Sequence, residues 1–325
     1  MSSDQDTSRA FLFPGQGAQK IGMAVDLCES VPRARAIFDR GREVLGFDVL
    51  AICKDGPEDE LNSTRVSQPA IFLHSMAMLE ALSDRLGVDG SCGTELPAAA
   101  AAGLSLGEYS ALVFVGAVGF EDALHVVGKR GEFMQEACDQ RDGAMASVLG
   151  LDAVAIENVV GAAKDDGLEI GIANYNSSAQ TVISGAVDAV DVCVERLTEA
   201  GARRVIKLRV AGAYHSTLMR SATEKLDPLL AELTIDAPRV RFYANYCGAR
   251  VEDPEEIRRG LLCQVESPVR WESSIGAIVE AGIEGGVEVG PGTVLAGLVK
   301  SIDRSVVVHS VGTVEALDNL EAFPV

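Results

Sequence analysis

The sequence predicts an α/β fold carrying an inserted subdomain, and three observations lead to that expectation. A small-residue apolar run over residues 97–102 leads into Gly103-Leu104-Ser105-Leu106-Gly107, after which a helical pattern begins. A second apolar strand, residues 10–13, breaks at Pro14-Gly15-Gln16-Gly17 and is also followed by a helix. Residues 144–210 then read strand, helix, strand, strand, helix, strand. That order is the split βαβ, or ferredoxin-like, pattern.

The chain of 325 residues is long enough for one large domain or two modest ones. At 47% hydrophobic it reads as globular. A net charge of -20 argues against nucleic acid or an anionic membrane as the main partner. Seven cysteines at irregular spacing read as reduced intracellular thiols rather than a disulfide framework. No Cys-x-x-Cys occurs, so no structural metal is expected. The N-terminal residues 1–9 are polar, without the apolar run of a signal peptide, and no segment approaches membrane-spanning length. The cytoplasm is the default location.

Taken in order, the strand at 10–13 and its Gly-rich turn match neither Gly-x-Gly-x-x-Gly nor a Walker pattern, so a nucleotide site is rejected. The other use of such a turn is to aim backbone N–H groups at a developing oxyanion. An amphipathic region follows, and Ser67-Gln68-Pro69 opens a strongly apolar helix over 70–82. His74, among apolar residues on that helix, is expected to be a packed core histidine. Residues 87–95 are a polar loop.

The pentad at 103–107 arises by chance in a Gly-rich chain, but a strand before it and a helix after it make it a nucleophile elbow. Glycines on both sides allow the sharp turn, and Ser105 then stands at a helix N-terminus that favours negative charge. The next helix, from Gly119, carries Arg130 at helical spacing from Val126, Val127, Phe133 and Met134. Two readings of Arg130 fit equally: a surface arginine laid along an apolar face, or a clamp for a carboxylate.

In the ferredoxin-like unit the strands are 144–149, 169–173, 181–184 and 204–210, with helices over 152–163 and 187–200. Its polar turn 174–180 could face the elbow across a cleft. Just after it, Ala213-Tyr214-His215-Ser216 offers either a general base for Ser105 or a cap for the helix over 217–230. Of the four histidines, His125 lies on a helix and His309 ends an apolar strand, which leaves His215 as the candidate base. A strand at 240–244, another at 286–289 and a Gly290-Pro291-Gly292 turn into a helix over 294–301 complete the pattern. The basic cluster Arg203, Arg204, Lys207 and Arg209 closes the inserted unit; it reads as a docking patch or as a solvated strand face.

Several motifs stand in an order that resembles the malonyl-CoA:acyl carrier protein transacylase family, over about residues 10–305. They are Phe13-Pro14-Gly15-Gln16-Gly17, Ser67-Gln68-Pro69-Ala70, the stretch 103–112 and Lys129-Arg130-Gly131. Ala213-Tyr214-His215-Ser216, Ser267-Pro268-Val269-Arg270-Trp271 and the stretch 288–298 complete the series. The resemblance implies a hydrolase-like α/β core of parallel strands, residues 1–141 and 211–325, with a ferredoxin-like insert at 142–210. It implies transfer of a malonyl group from malonyl-CoA to acyl carrier protein through a malonyl-serine, in fatty acid biosynthesis. A related acyltransferase or acyl hydrolase of a polyketide pathway is the alternative. Ser105 resembles the nucleophile, His215 the base, and Gln264 the residue whose main-chain carbonyl orients the histidine. Backbone N–H groups of Gln16 and Leu106 would form the oxyanion hole, and Arg130 would hold the malonyl carboxylate. Asn176 resembles a residue lining the acyl pocket, with Asn174 close by. Leu104 stands where the family usually has His, and Tyr214 where Phe is common. The second difference leaves malonyl preferred and methylmalonyl less excluded. No cofactor is expected.

Overall fold

The computed structural model describes residues 9–319; the polar N-terminal residues 1–8 lie outside them. Among the described residues ten strands form two sheets. The larger sheet contains β1 (Arg9–Phe13) and β2 (Ala100–Gly103). The smaller is built from β3 (Gly143–Leu149), β4 (Ile170–Ser177), β5 (Gln180–Ala186) and β6 (Arg204–Lys207). The larger sheet is completed by β7 (Arg241–Ala244), β8 (Ala249–Val251), β9 (Gly285–Val289) and β10 (Val307–Val311).

The large sheet runs β10-β9-β1-β2-β7-β8, parallel except for the β7–β8 pair at one edge. Its central strands are apolar on both faces, as a parallel sheet covered by helices requires. Phe11 and Phe13 point to one side, where Phe114 stacks on Phe11 at 4.4 Å between ring centroids. Ala10 and Leu12 point to the other, against Trp271, Ile275 and Leu295. The long helix Thr64–Leu86 is buried along nearly its whole length, which explains why its sequence is apolar all round. It begins six residues before the predicted 70–82 segment. Its first turn is covered by the helix Phe120–Gln140, where a Cβ on Gly131 would lie 2.7 Å from the Thr64 carbonyl oxygen.

The second sheet runs β4-β5-β3-β6, all antiparallel, the strand order of a ferredoxin-like unit. Helices Ala153–Asp165 and Val187–Glu199 cover one face and share a separate apolar cluster with it, including Val148, Ile156, Ile183 and Leu197. Met145, Ala173 and Val182 instead join the main core. β6 ends at Lys207, three residues short of the predicted 204–210 strand. Leu208 through Val210 leave the sheet, exposed, after Leu208 N–H makes a last bond to the Met145 carbonyl at 2.9 Å. The expected α/β core with a ferredoxin-like unit is therefore present. Among the described residues no helix is long and apolar enough to cross a membrane. All seven cysteines are free.

Candidate active site

The elbow sits where β2 passes into the helix Gly107–Phe114. Ser105 has φ 52°, a left-handed conformation that costs energy for a residue with a Cβ and persists only when its surroundings impose it. Both flanking glycines are sterically required. A Cβ on Gly103 would lie 1.9 Å from the Gly107 backbone, and one on Gly107 would lie 2.1 Å from the Phe13 carbonyl oxygen.

His215 Nδ1 donates to the Gln264 main-chain carbonyl at 2.8 Å. A carbonyl oxygen can only accept, so this bond puts the proton on Nδ1 and leaves Nε2 as an acceptor. Nε2 lies 2.9 Å from Ser105 Oγ, so the serine hydroxyl donates to it. Burial, and after it the positive charge of Arg130, push the imidazole pKa down to about 4. The ring is therefore neutral at neutral pH, with Nε2 unprotonated. Capping is done by its neighbour instead. Ser216 Oγ accepts from Leu218 N–H at 3.2 Å, ahead of the short turn Thr217–Met219 and the helix Arg220–Glu232.

Arg130 is 1% exposed, which removes the reading of a surface arginine. Its Nη1 donates to Gln68 Oε1 at 2.6 Å, and its Nη2 to Gln264 Oε1 at 2.9 Å and Ser105 Oγ at 3.2 Å. Among the described residues no carboxylate touches it, and its Nε is buried without a partner. Burial lowers its pKa, while Tyr109 and Glu108 nearby act the other way. A buried guanidinium held by neutral oxygens, with a donor to spare, has the chemistry to take an anion as partner.

Gln16 lines the same cleft as Ser105 and Leu106 follows Ser105 in the chain, and among the described residues neither backbone N–H meets an acceptor. The Gln16 side chain donates to the Tyr214 hydroxyl at 3.3 Å, and that hydroxyl lies 2.5 Å from Thr64 Oγ1. The elbow opens into a cleft of about 1000 Å³ between the two sheets. Gln16, Leu104, Ser105, Asn174, Asn176 and His215 all line it. Asn176 Oδ1 is buried without a partner, whereas the Asn174 backbone bridges to Val269. Of the basic cluster only Arg209 lines the cleft; Lys207 pairs with Asp191, and Arg203 packs over Gly150.

The geometry adds three polar residues to those singled out in the sequence for the site. Gln68 holds Arg130. Glu108 accepts from Asn245 N–H at 3.0 Å and from Gln264 Nε2. Burial raises its pKa to about 7, opposed by those two bonds and by Arg130. Asn245 closes the back of the elbow. None has a local signature for this role: Gln68 and Glu108 fall inside motifs of the resemblance without a function of their own, and Asn245 lies one residue past the predicted 240–244 strand.

A family model described as acyl transferase domain matches residues 10–319. The chain is 40% identical to a malonyl CoA-acyl carrier protein transacylase of Bacillus subtilis over 309 residues, covering 95% of each chain. It superposes with TM-score 0.89 and 37% identity on an acyl carrier protein S-malonyltransferase of Vibrio cholerae, covering 97% of this chain and 100% of that one. It also superposes with TM-score 0.88 and 35% identity on a malonyl-transacylase solved with a type II PKS acyl-carrier protein, covering 95% and 97% of the two. The chain belongs to the malonyl-CoA:acyl carrier protein transacylase family of acyltransferases.

Proposed function

We propose that the protein transfers the malonyl group of malonyl-CoA to the phosphopantetheine thiol of acyl carrier protein, in fatty acid biosynthesis, and that it works in the cytoplasm. Ser105 Oγ attacks the thioester carbonyl while His215 Nε2 takes its proton. The oxyanion is received by the N–H groups of Gln16 and Leu106, the latter at the mouth of the elbow helix. Collapse of the tetrahedral adduct breaks the C–S bond, and His215 returns the proton to the departing coenzyme A thiol. The carrier thiol then repeats the sequence in reverse, giving its proton to His215 and leaving Ser105 free. The Gln264 carbonyl takes the place of a triad carboxylate in fixing the imidazole tautomer. Asn176 lines the acyl pocket. Residues 142–210 act as one inserted unit that walls the cleft opposite the elbow.

One observation carries the choice of substrate: Arg130 Nη2 is 3.2 Å from Ser105 Oγ, in a buried setting where no carboxylate among the described residues touches it. A thioester whose acyl chain ends in a carboxylate one carbon away from the reacting carbonyl brings that missing partner. Incubation with malonyl-CoA should add one malonyl mass to the intact protein, confined to the Ser105 peptide and absent in Ser105→Ala. Label on Ser105→Ala would overturn the nucleophile assignment.

A further inference from the structure

We infer that Asn245 is a positioning residue for the nucleophile, one that holds the strained backbone of Ser105 through its side-chain amide. The inference rests on Ser105 being the nucleophile, as proposed above. Asn245 stands one residue beyond β7, which pairs with β2 in parallel, so it meets the elbow at the end of the neighbouring strand. Its Oδ1 accepts from Ser105 N–H at 2.6 Å, and its Nδ2 donates to the Gly103 carbonyl at 2.6 Å. One planar amide therefore spans the turn, taking the N–H of the nucleophile and the C=O two residues before it. The other side of the same residue is also held: the Ser105 carbonyl accepts from Gln264 Nε2 at 3.1 Å. Both clasps are tied to a single carboxylate, since Glu108 accepts from Asn245 N–H and from Gln264 Nε2. Asn245, Gln264 and Glu108 are all almost wholly buried.

This arrangement answers a physical question the elbow raises. A serine at φ 52° relaxes unless its peptide groups are held on both sides, and relaxation swings Oγ away from His215 Nε2 and from the oxyanion donors. A side-chain amide suits the task because it presents one acceptor and one donor in a rigid plane. An aspartate at 245 keeps the acceptor for Ser105 N–H. It recovers the donor to Gly103 only when protonated.

Three proteins are compared: wild type, Asn245→Ala and Asn245→Asp, with Ser105→Ala as the blank. The rate of malonyl-enzyme formation is measured by rapid quench and expressed per folded molecule from near-UV circular dichroism. Asn245→Ala should acylate on the order of 100-fold more slowly, the scale of a misplaced reacting group, with KM for malonyl-CoA within about twofold of wild type. Asn245→Asp should be slow at pH 8, and its rate relative to wild type should climb as pH falls, because the neutral acid restores the donor. Glu108, Arg130 and His215 face the same spot and are present in both proteins. A residue that only supported the fold would give no such recovery per folded molecule. Near-wild-type acylation by Asn245→Ala overturns the inference. Should that variant not fold, an Asn245→Asp rate in fixed ratio to wild type from pH 8 to pH 5.5 overturns it alone. Loss of all labelling in Ser105→Ala alongside either result keeps the nucleophile reading intact; labelled Ser105→Ala defeats that reading and not merely this one.

Discussion

At the scale of single residues, the proposed chemistry turns on a cation and an imidazole that share one hydroxyl. Arg130 and His215 both contact Ser105 Oγ, and the guanidinium is one reason the imidazole resists protonation. Arg130→Ala should therefore act on specificity. A charge-assisted bond to a carboxylate is worth roughly 1.5–3 kcal/mol, so the malonyl specificity constant should fall about tenfold or more. Acetyl-CoA, with no carboxylate to lose, should be used as well as before or better. A competition assay with both thioesters decides it; an unchanged preference for malonyl means the carboxylate is held elsewhere. His215→Ala should cut acylation by about 10²–10⁴-fold, the loss expected for a general base. The pH profile follows with the sign fixed by the neutral ring. With its pKa pushed down to about 4, the base is intact at pH 7 and at pH 5.5, and is lost only as pH falls through about 4. Single-turnover acylation at saturating malonyl-CoA should thus lack an inflection near pH 6.5, the usual value for a free histidine. An inflection there would show that the ring is better solvated than its burial implies.

At the scale of elements, the buried helix Thr64–Leu86 carries a second titratable ring. His74 Nε2 bonds to the Gly312 carbonyl at 3.0 Å, its Nδ1 has no partner, and burial lowers its pKa to about 4. Between about pH 6.5 and 4 the unfolded chain takes up this proton and the native protein does not, so unfolding free energy drops as pH falls, by at most about 1.4 kcal/mol per pH unit. His215 acts in the same direction. Glu108, raised to about 7, acts oppositely, since the native state holds its proton where the unfolded state has released it. Comparing His74→Met with wild type isolates the one ring. The variant should be less stable at pH 7.5 by about 1–3 kcal/mol for the stranded Gly312 carbonyl, and the gap should narrow toward pH 4.5. Denaturant titrations at both pH values test this, and a constant gap would refute it. The basic strand β6 supports a separate expectation: reversing exposed Arg203 and Arg204 to Glu should raise the KM for carrier protein about two- to fivefold at low salt and leave that for malonyl-CoA unchanged. Equal movement of both constants would put the docking surface elsewhere. The elements that were legible in the sequence are those with a local cause. The elbow announces itself through Gly103 and Gly107, and the inserted unit through its alternation of strands and helices. Residues whose role comes from topology were not legible. Asn245 reaches Ser105 only because β7 lies beside β2, and Thr64 and Ser67 in the first turn of the long helix are polar yet buried, at a face where Gly131 lets another helix close over Thr64.

At the scale of the whole molecule, the second sheet is both independent and attached. On one face its helices give it an apolar cluster of its own; on the other, Met145, Ala173 and Val182 merge with the main core. Along its β4 edge, Tyr175 N–H bonds to the Val269 carbonyl at 2.9 Å and Val269 N–H to the Ala173 carbonyl at 2.8 Å. Arg270 lies over the Tyr175 ring at 5.6 Å, and Ser301 Oγ bonds to Ser177 Oγ at 3.2 Å. This is a narrow clasp beside the broad ladders of the large sheet. If residues 142–210 are one inserted unit, they should open together, at a lower free energy than β1 and β2, which are buried on both faces. Native-state hydrogen exchange read by peptide mass should then show β3, β4 and β5 losing protection as a group. The Val269 amide should exchange with that group, because its acceptor belongs to β4. Peptides spanning β1 and β2 should remain protected until global unfolding. Exchange of all these strands at a single common free energy would mean that the merged face dominates and that the two sheets unfold as one body.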